Sequence, residues 1–311
     1  MKKLFLFFLS VSLLLSGCAG KNNTNEKKSS DKLTVYTTVY PLQYFSERIG
    51  GQYAETHTIY PPGADEHSFE PTQKDMIKLA DADLFIYIGL GLEGFVEKAK
   101  TTLKNEDVKM ISAGDRITFE PDAEGEEHHE DDGHNHGDID PHVWIDPVYA
   151  KDLANSVKEA FIAEMPNHEE EFNANFDVLA KELDQLNADF TDMVNQAAIK
   201  EFFVSHAAFG YWEKRYNIKQ VSISGLNSSD EPTQKELQNI ISEAQKYHLQ
   251  YIFIEQNVTS KPTEVIINEL GAEALVLHNL SVLTDEDIKN NETYFTLMER
   301  NIDHLKKALN Q

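Results

Sequence analysis

Three histidines lie at positions in the sequence where a side chain is expected to reach a ligand-binding site. His67 follows an apolar run that ends at Tyr60, and His206 ends a later apolar run. His142 lies in a loop bounded by two prolines. Neutral imidazole is a good ligand for Zn²⁺, and three or four nitrogen or oxygen ligands complete a zinc site. Because a single histidine is more often a surface or hydrogen-bonded residue, the prediction of a metal site depends on all three meeting at one place.

The elements that would position these histidines follow a plan that occurs twice. Short apolar and β-branched runs alternate with helical patterns, which predicts an α/β protein of two similar lobes, each with a mostly parallel four-stranded sheet flanked by helices. The predicted strands are 33–40, 55–60, 82–89 and 108–112 in the first half and 201–206, 218–223, 249–255 and 274–279 in the second. In open α/β sheets, ligands bind beyond the carboxyl ends of the strands. His67 and His206 are therefore expected to face a shared cleft, which His142 can join from the connecting segment.

A repeated pentapeptide supports this plan. The sequence Glu-Pro-Thr-Gln-Lys occurs at 70–74 and again at 231–235, each time after the second predicted strand of its half. Proline suits the first turn of a helix, so each copy is expected to mark a helix start. The matching positions favour a shared architecture for the two halves.

A long helix is predicted between the two halves. Apolar residues recur at alternating steps of four and three from Phe172 to Met193, which places them on one helix face. Asn167 is the predicted N-cap. We expect this helix to lie across both halves as a rigid bridge rather than to form a coiled coil. The predicted domains are an N-terminal lobe at 32–147, a helical connection at 148–198 and a C-terminal lobe at 199–311.

The first residues are typical of an export signal. A basic head precedes the apolar run Leu4–Leu15, which is too short to span a bilayer and predicts a signal peptide at 1–17. Small residues then precede Cys18, the only cysteine, in a pattern that resembles a bacterial lipobox. We therefore expect a lipid on Cys18, a flexible tether at 18–31 and anchoring on the extracytoplasmic face of the cell membrane. Any metal site must then use His, Asp or Glu.

The charge of the chain argues against one class of partner. The sequence has 28 Lys and Arg against 53 Asp and Glu, a formal net charge of −25. Such a surface repels phosphate backbones, so we expect no nucleic acid partner. An acidic surface attracts cations in general, but many exported proteins are acidic, and the charge alone does not specify a metal site.

Three motifs resemble those of a known family. PPGADEHSFEPT, DPHVWIDP and FVSHAAFGYW are similar to the metal-site motifs of the metal-specific solute-binding lipoproteins of ABC transporters (cluster A-I), and within them to the zinc-uptake branch of ZnuA/AdcA type. The resemblance implies two lobes bridged by a rigid helix, with one metal held in the cleft by His67, His142 and His206. It also implies a monomer that works with an ABC permease and its ATPase. His206 stands where the manganese branch usually has a carboxylate, and imidazole favours Zn²⁺ over Mn²⁺.

The fourth ligand is left open by the sequence. Many Gram-positive zinc members of this family have Glu in a Leu-Glu-Gly-Leu-Thr stretch, and Ser281 stands at that position here. A neutral serine is a poor zinc ligand. The alternatives are water, Glu66 beside His67, or Asp285 or Glu286 downstream. Other zinc members have a similar Glu-His pair, which favours Glu66 or water.

Further residues are candidates for supporting roles. The acidic segment 120–140 contains four histidines, and it is expected to be a solvated loop that binds metal weakly. The resemblance includes such a loop at this place, so we predict that it captures Zn²⁺ and passes it to the cleft. Its histidines are His128, His129, His134 and His136. Asp140, Asp146 and Glu255 are expected either to orient the ligand imidazoles or to cap loops, and His278 is a weaker outside candidate for a ligand.

These features predict a high-affinity zinc-binding protein that captures extracytoplasmic Zn²⁺ and delivers it to a membrane permease. The alternatives are a manganese-type solute-binding lipoprotein, a surface adhesin and a zinc hydrolase. Three histidines plus water is also the ligand set of catalytic zinc. The sequence has neither an H-E-x-x-H nor a G-x-S-x-G motif, so we do not expect an enzyme.

Overall fold

The structure, a computed structural model, describes residues 32–119, 139–227, 232–246, 249–257 and 260–310. The predicted signal peptide, Cys18 and the tether lie outside these residues, as do His128, His129, His134 and His136. None of the helices in the described part of the chain could span a lipid bilayer.

Eight strands in the described residues form two parallel four-stranded sheets of identical topology, and the predicted fold class is confirmed. The N-terminal sheet has the order β2-β1-β3-β4, and the C-terminal sheet has the order β6-β5-β7-β8. The strands are β1 Leu33–Thr37, β2 Ala54–Thr58, β3 Leu84–Tyr87, β4 Lys109–Ser112, β5 Glu201–Val204, β6 Lys219–Ser222, β7 Tyr251–Ile254 and β8 Glu273–Val276. The winding of each sheet reverses beside its first strand, which creates the crevice where such sheets bind ligands.

Helices flank and connect the two sheets. They are α1 Tyr40–Gly50, α2 Gln73–Ala80, α3 Val96–Leu103, α4 Pro147–Glu164, α5 Glu169–Gln196, α6 Gly210–Tyr216, α7 Gln234–Lys246, α8 Lys261–Leu270, α9 Asp285–Lys289 and α10 Tyr294–Ala308. The two copies of the repeated pentapeptide start α2 and α7. In each copy the threonine caps the helix, since its hydroxyl accepts a backbone N–H three residues later, from Asp75 or Glu236. The proline precedes this cap instead of lying in the first turn.

The long helix α5 spans 28 residues, or ~42 Å. Its predicted N-cap was wrong. Pro166 starts a tight 3-10 turn that includes Asn167 and His168, so α5 begins only at Glu169 and Asn167 is not at the cap position. Three acidic residues in the first turn complement the helix dipole instead.

The α5 helix packs against both lobes. Near its start, Asn175 Nδ2 donates to the Ile49 carbonyl of α1 at 2.9 Å. Near its end, Phe190 stacks on Tyr216 of α6 with ring centroids 4.3 Å apart. One continuous set of buried apolar side chains includes residues of both lobes and of α5. The lobes therefore share a core, which opposes wide rigid-body motion between them.

Candidate metal centre

The three histidines predicted as ligands meet between the two lobes. The ring centroids lie 5.2 Å apart for His67 and His142, 5.4 Å for His67 and His206, and 5.0 Å for His142 and His206. One ring nitrogen from each histidine lies within 4.8 Å of the other two. Among the described residues, this is the one group of His, Cys, Asp and Glu side chains close enough to hold a metal ion.

His206 is positioned by two adjacent strands of the C-terminal sheet. Val204 of β5 pairs with Phe253 of β7, so the residues after both strands reach the same sheet edge. His206 Nδ1 lies 2.7 Å from Glu255 Oε1, and its Nε2 lies 2.9 Å from the Leu226 carbonyl oxygen. Burial opposes the charged ring, but the hydrogen bond to Glu255 and its charge outweigh this effect and raise the pKa of His206 to about 9.

His142 lies just before α4 and is fully buried. Its Nδ1 lies 2.7 Å from Asp140 Oδ1, so this nitrogen carries the hydrogen and Nε2 is left to face the cleft. Asp140 is in turn held from the other lobe, because Tyr211 donates its hydroxyl to the Asp140 carbonyl at 2.5 Å. Gly210 allows this approach, since a side chain there would meet the Asp140 carboxylate at 2.8 Å.

His67 lies in the turn that follows β2. Asp65 Oδ1 accepts the backbone N–H of His67 at 3.0 Å and that of Ser68 at 2.9 Å, which fixes the turn. The His67 ring is largely buried, and its Nε2 lies 3.2 Å from His142 Nε2. Burial, together with the neighbouring His142 and His206, lowers the pKa of His67 to about 4.

The arrangement fits a tetrahedral zinc site. Zinc–imidazole bonds of ~2.0–2.1 Å place two nitrogen ligands ~3.3 Å apart. The Nε2 atoms of His67 and His142 already lie 3.2 Å apart. To coordinate a metal, His206 Nε2 would have to release the Leu226 carbonyl, which lies 2.9 Å away. The Nδ1 nitrogens of His142 and His206 face carboxylates, which fixes both rings and leaves Nε2 as the nitrogen of each that could coordinate a metal.

Glu66 is a buried carboxylate beside this group. Its Oε1 lies 4.0 Å from His67 Nε2, and it is not one of the three side chains within 4.8 Å of one another. Burial and the nearby charge of Glu255 raise the pKa of Glu66. Asn279 Nδ2 donates to Oε1 of both Glu66 and Glu255 at 3.1 Å. Asn279 was missed in the sequence, although it follows β8 at the sheet edge, as His206 follows β5.

Ser281 is engaged in a hydrogen bond, and the two downstream candidates for a fourth ligand lie outside the histidine group. The Ser281 hydroxyl donates to Asn279 Oδ1 at 2.9 Å and is fully buried. Asp285 and Glu286 lie in the exposed first turn of α9, outside the histidine group. Neither Asp285 nor Glu286 therefore belongs to the group of side chains that could hold a metal with the three imidazoles.

Two further candidates have structural roles. The Asp146 carboxylate caps α4 by accepting the Val148 N–H at 2.8 Å and pairs with Arg215. His278 accepts the Leu280 N–H on Nδ1 at 2.9 Å, and its Nε2 lies 3.2 Å from Asp287 Oδ2. Both ring nitrogens of His278 are therefore engaged away from the histidine group.

Comparisons with known proteins identify the family of the chain. The model of the family described as "Zinc-uptake complex component A periplasmic" matches residues 35–308. The chain is 33% identical over 315 residues to the zinc-binding lipoprotein AdcA of Streptococcus pneumoniae, covering 100% of this chain but 62% of that protein. It is 30% identical over 312 residues to the high-affinity zinc uptake system protein ZnuA of Bacillus subtilis, covering 98% of this chain and 97% of that one.

A solved structure shares the fold. The crystal structure of the Zn(II)-bound ZnuA-like domain of Streptococcus pneumoniae AdcA superposes with a TM-score of 0.75 at 32% identity, over 90% of this chain and 100% of that domain. This chain thus spans about 62% of the length of the streptococcal AdcA that it matches. Because the family model covers most of its length, the chain belongs to the family of periplasmic zinc-uptake complex component A proteins.

Proposed function

We propose that this protein captures Zn²⁺ in the cleft through His67, His142 and His206 and delivers it to an ABC permease and its ATPase. The observation that carries the proposal is the convergence of three imidazoles within 4.8 Å, two of which contact a carboxylate through Nδ1. A carboxylate behind an imidazole orients the ring and strengthens it as a metal ligand. Membership of the zinc-uptake family and the zinc-binding relatives support zinc as the cargo.

The fourth ligand in this proposal is Glu66 or water. The Glu66 carboxylate needs only a short movement, since its Oε1 lies 4.0 Å from His67 Nε2. If water takes the position, the metal keeps one exchangeable ligand, which would ease release to the permease. A Glu66→Gln variant separates the two, because it weakens zinc binding strongly only if Glu66 is a direct ligand.

The proposal includes three features that lie outside the described residues or rest on the family. Cys18 carries the lipid that anchors the protein on the extracytoplasmic face of the membrane, and the protein works as a monomer. His128, His129, His134 and His136 form an accessory loop that captures additional zinc. Deletion of residues 120–138 should leave the tight site intact and remove the extra zinc equivalents.

The proposed role is binding and transport, not catalysis. A zinc hydrolase would need a bound water activated for attack and would lose all turnover on removal of the histidines. We expect stoichiometric zinc binding with no turnover of ester substrates. Turnover that disappears in His206→Ala would instead support the hydrolase alternative.

Calorimetric titration with Zn²⁺ and Mn²⁺ tests the proposal. We expect one tight zinc equivalent, weak manganese binding and loss of the tight site in His206→Ala. His57→Ala is the matched control, because His57 lies in β2 with a 41% exposed side chain and outside the histidine group. Tight manganese binding, or a tight zinc site that survives in His206→Ala, would contradict the proposal.

A growth experiment separates transport from adhesion. Cells that lack the protein should grow poorly when zinc is limiting and recover when zinc is added. An adhesin with no transport role predicts no such rescue.

A further inference from the structure

Asn279 lies between two buried carboxylates that come from opposite lobes. Its Nδ2 is 3.1 Å from Glu66 Oε1 and 3.1 Å from Glu255 Oε1. Glu66 precedes His67 in the turn after β2, whereas Glu255 follows β7 and contacts His206 Nδ1 at 2.7 Å. The two N–H bonds of one amide therefore connect the carboxylates that lie beside ligands of both lobes.

The orientation of this amide is fixed by its opposite side. Asn279 Oδ1 accepts the backbone N–H of Ser281 at 3.0 Å, the Ser281 hydroxyl at 2.9 Å and Gln256 Nε2 at 2.9 Å. Since a backbone N–H can only donate, the amide oxygen must face Ser281, and the amide nitrogen must face the carboxylates.

The backbone of Asn279 is fixed as well. Its N–H donates to Gln256 Oε1 at 3.2 Å, and its carbonyl accepts the Trp144 indole N–H at 2.7 Å. Trp144 lies two residues after His142, and their rings are 5.3 Å apart. Asn279 is thus connected to the surroundings of all three histidines.

The Asn279 amide satisfies two buried carboxylates without adding charge. Two carboxylates buried near each other repel, and buried polar groups without partners are costly. An amide supplies one donor to each carboxylate and adds no charge of its own. An apolar residue would leave both acceptors with one partner fewer, and an aspartate would add a third carboxylate.

We infer that Asn279 is a positioning residue for zinc binding, which holds Glu66 on one side of the cleft and keeps Glu255 against His206 on the other. This inference rests on the proposed function, because it describes how the proposed ligands are held. It adds a residue that acts on His206 through Glu255. Loss of such supporting contacts typically lowers metal affinity by about 10–100-fold.

The test compares Asn279→Ala with Asn301→Ala in the purified protein. Asn301 is an equally buried asparagine of the same lobe, and it exchanges two hydrogen bonds of 2.8 Å with the backbone of His278. Both variants lose buried hydrogen bonds, but only Asn279 contacts the carboxylates of the site. Zinc affinity is measured by competition with a chelator, and the ligand geometry is measured by the visible spectrum of the Co²⁺-loaded protein.

We expect Asn279→Ala to lower zinc affinity about 10–100-fold and to change the cobalt spectrum. Asn301→Ala should lower the unfolding midpoint while leaving affinity and spectrum as in the wild type. Wild-type affinity in Asn279→Ala, or an equal loss in both variants, would overturn the inference. Weak zinc binding by the wild type itself would instead contradict the proposed function.

A second variant covers the case in which Asn279→Ala does not fold. Gln256→Ala keeps the Asn279 side chain but removes a partner of both its amide oxygen and its backbone N–H. We expect a smaller loss of zinc affinity, with a cobalt spectrum shifted from that of the wild type. Unchanged affinity and spectrum in Gln256→Ala would then overturn the inference.

Discussion

The two lobes hold their histidines in opposite ways. In the N-terminal lobe His67 is held through its backbone by Asp65, and within the described residues no carboxylate lies at hydrogen-bond distance from its ring. In the C-terminal lobe His206 is held through its ring, with Glu255 on Nδ1 and the Leu226 carbonyl on Nε2. The pKa of His67 is lowered to about 4, whereas that of His206 is raised to about 9.

This contrast shows that the neighbours of a buried imidazole decide whether its pKa falls or rises. Both rings are largely removed from water, which by itself favours the neutral form. Glu255 reverses that preference for His206. Near neutral pH the three-histidine group therefore combines a neutral imidazole with a charged one, whose proton a metal bound there would have to displace.

The largest expected effect concerns the stability of the zinc-free protein. His67 has a folded pKa below its ordinary value of 6.5, so its contribution is lost as pH falls from about 6.5 to about 4. His206 has a folded pKa above 6.5, so its contribution is complete below 6.5 and lost as pH rises to about 9. Each shift corresponds to at most about 3 kcal/mol.

Urea unfolding in the presence of a chelator, between pH 4 and 9, measures the free energy of unfolding of the wild type, His67→Gln and His206→Gln. Its fall below pH 6.5 is the acid limb, and its fall above pH 6.5 is the alkaline limb. His67→Gln should flatten the acid limb, and His206→Gln should flatten the alkaline limb. His57→Gln is the control and should leave both limbs unchanged. If the two variants change the same limb, the contrast between the lobes is wrong.

The second largest effect is expected on zinc affinity when the carboxylates that contact the Nδ1 atoms of His142 and His206 are replaced. Glu255→Gln should lower zinc affinity about 10–100-fold, and Asp140→Asn should have an effect of the same kind on His142. We expect the loss to be larger for Glu255, which is more deeply buried and also accepts from Asn279. Affinity is measured by chelator competition.

Asp287→Asn is a matched control for these carboxylates. Asp287 contacts His278, a histidine outside the metal group, at 3.2 Å. Its replacement should leave zinc affinity unchanged. Equal losses in all three variants would show that the effect comes from general destabilisation.

The number of protons released on zinc binding also distinguishes His67 from His206. At pH 7.5 zinc should displace about one proton from His206 and none from His67, because of these two rings only that of His206 is protonated there. Calorimetry in buffers of different ionisation enthalpy measures this number. In Glu255→Gln the number of released protons should fall, and an unchanged number would show that the proton comes from another group.

The smallest effect is expected at the backbone support of His67. Asp65→Ala removes the acceptor of two backbone N–H groups in the turn that holds His67. Zinc affinity should fall only a few-fold, well below the effect of a lost carboxylate behind a ring. A loss of zinc affinity as large as that of Glu255→Gln would show that Asp65 supports the His67 ring as strongly as a carboxylate that contacts a ring nitrogen.

Local patterns were enough to predict the architecture and the convergence of the histidines. Alternating strands and helices specify parallel sheets, and the sheet edges then bring the residues after β2 and β5 into one cleft. The expectation that Asp140 and Glu255 orient imidazoles agrees with their 2.7 Å contacts. Asp146 had the same sequence signal, but the adjacent Pro147 starts a helix there, and its carboxylate caps that helix.

The remaining features depend on contacts between distant parts of the chain. Asn279 and Glu66 are 213 residues apart, and nothing near either residue indicates that they meet. The direction of the His206 pKa shift depends on the position of Glu255, 49 residues away. Asn167 was predicted as a cap because capping rules are local, whereas the preceding Pro166 turned the chain into a 3-10 turn first.

Above all, we propose that imidazoles from both lobes bind one zinc ion. Zinc X-ray absorption of protein loaded with one equivalent tests it most directly, beside His206→Ala and the His57→Ala control. We predict three imidazole nitrogens and one oxygen at ~2.0–2.1 Å in the wild type and the control, with one imidazole fewer in His206→Ala. Two or fewer imidazoles in the wild type, or an unchanged spectrum in His206→Ala, would contradict this account.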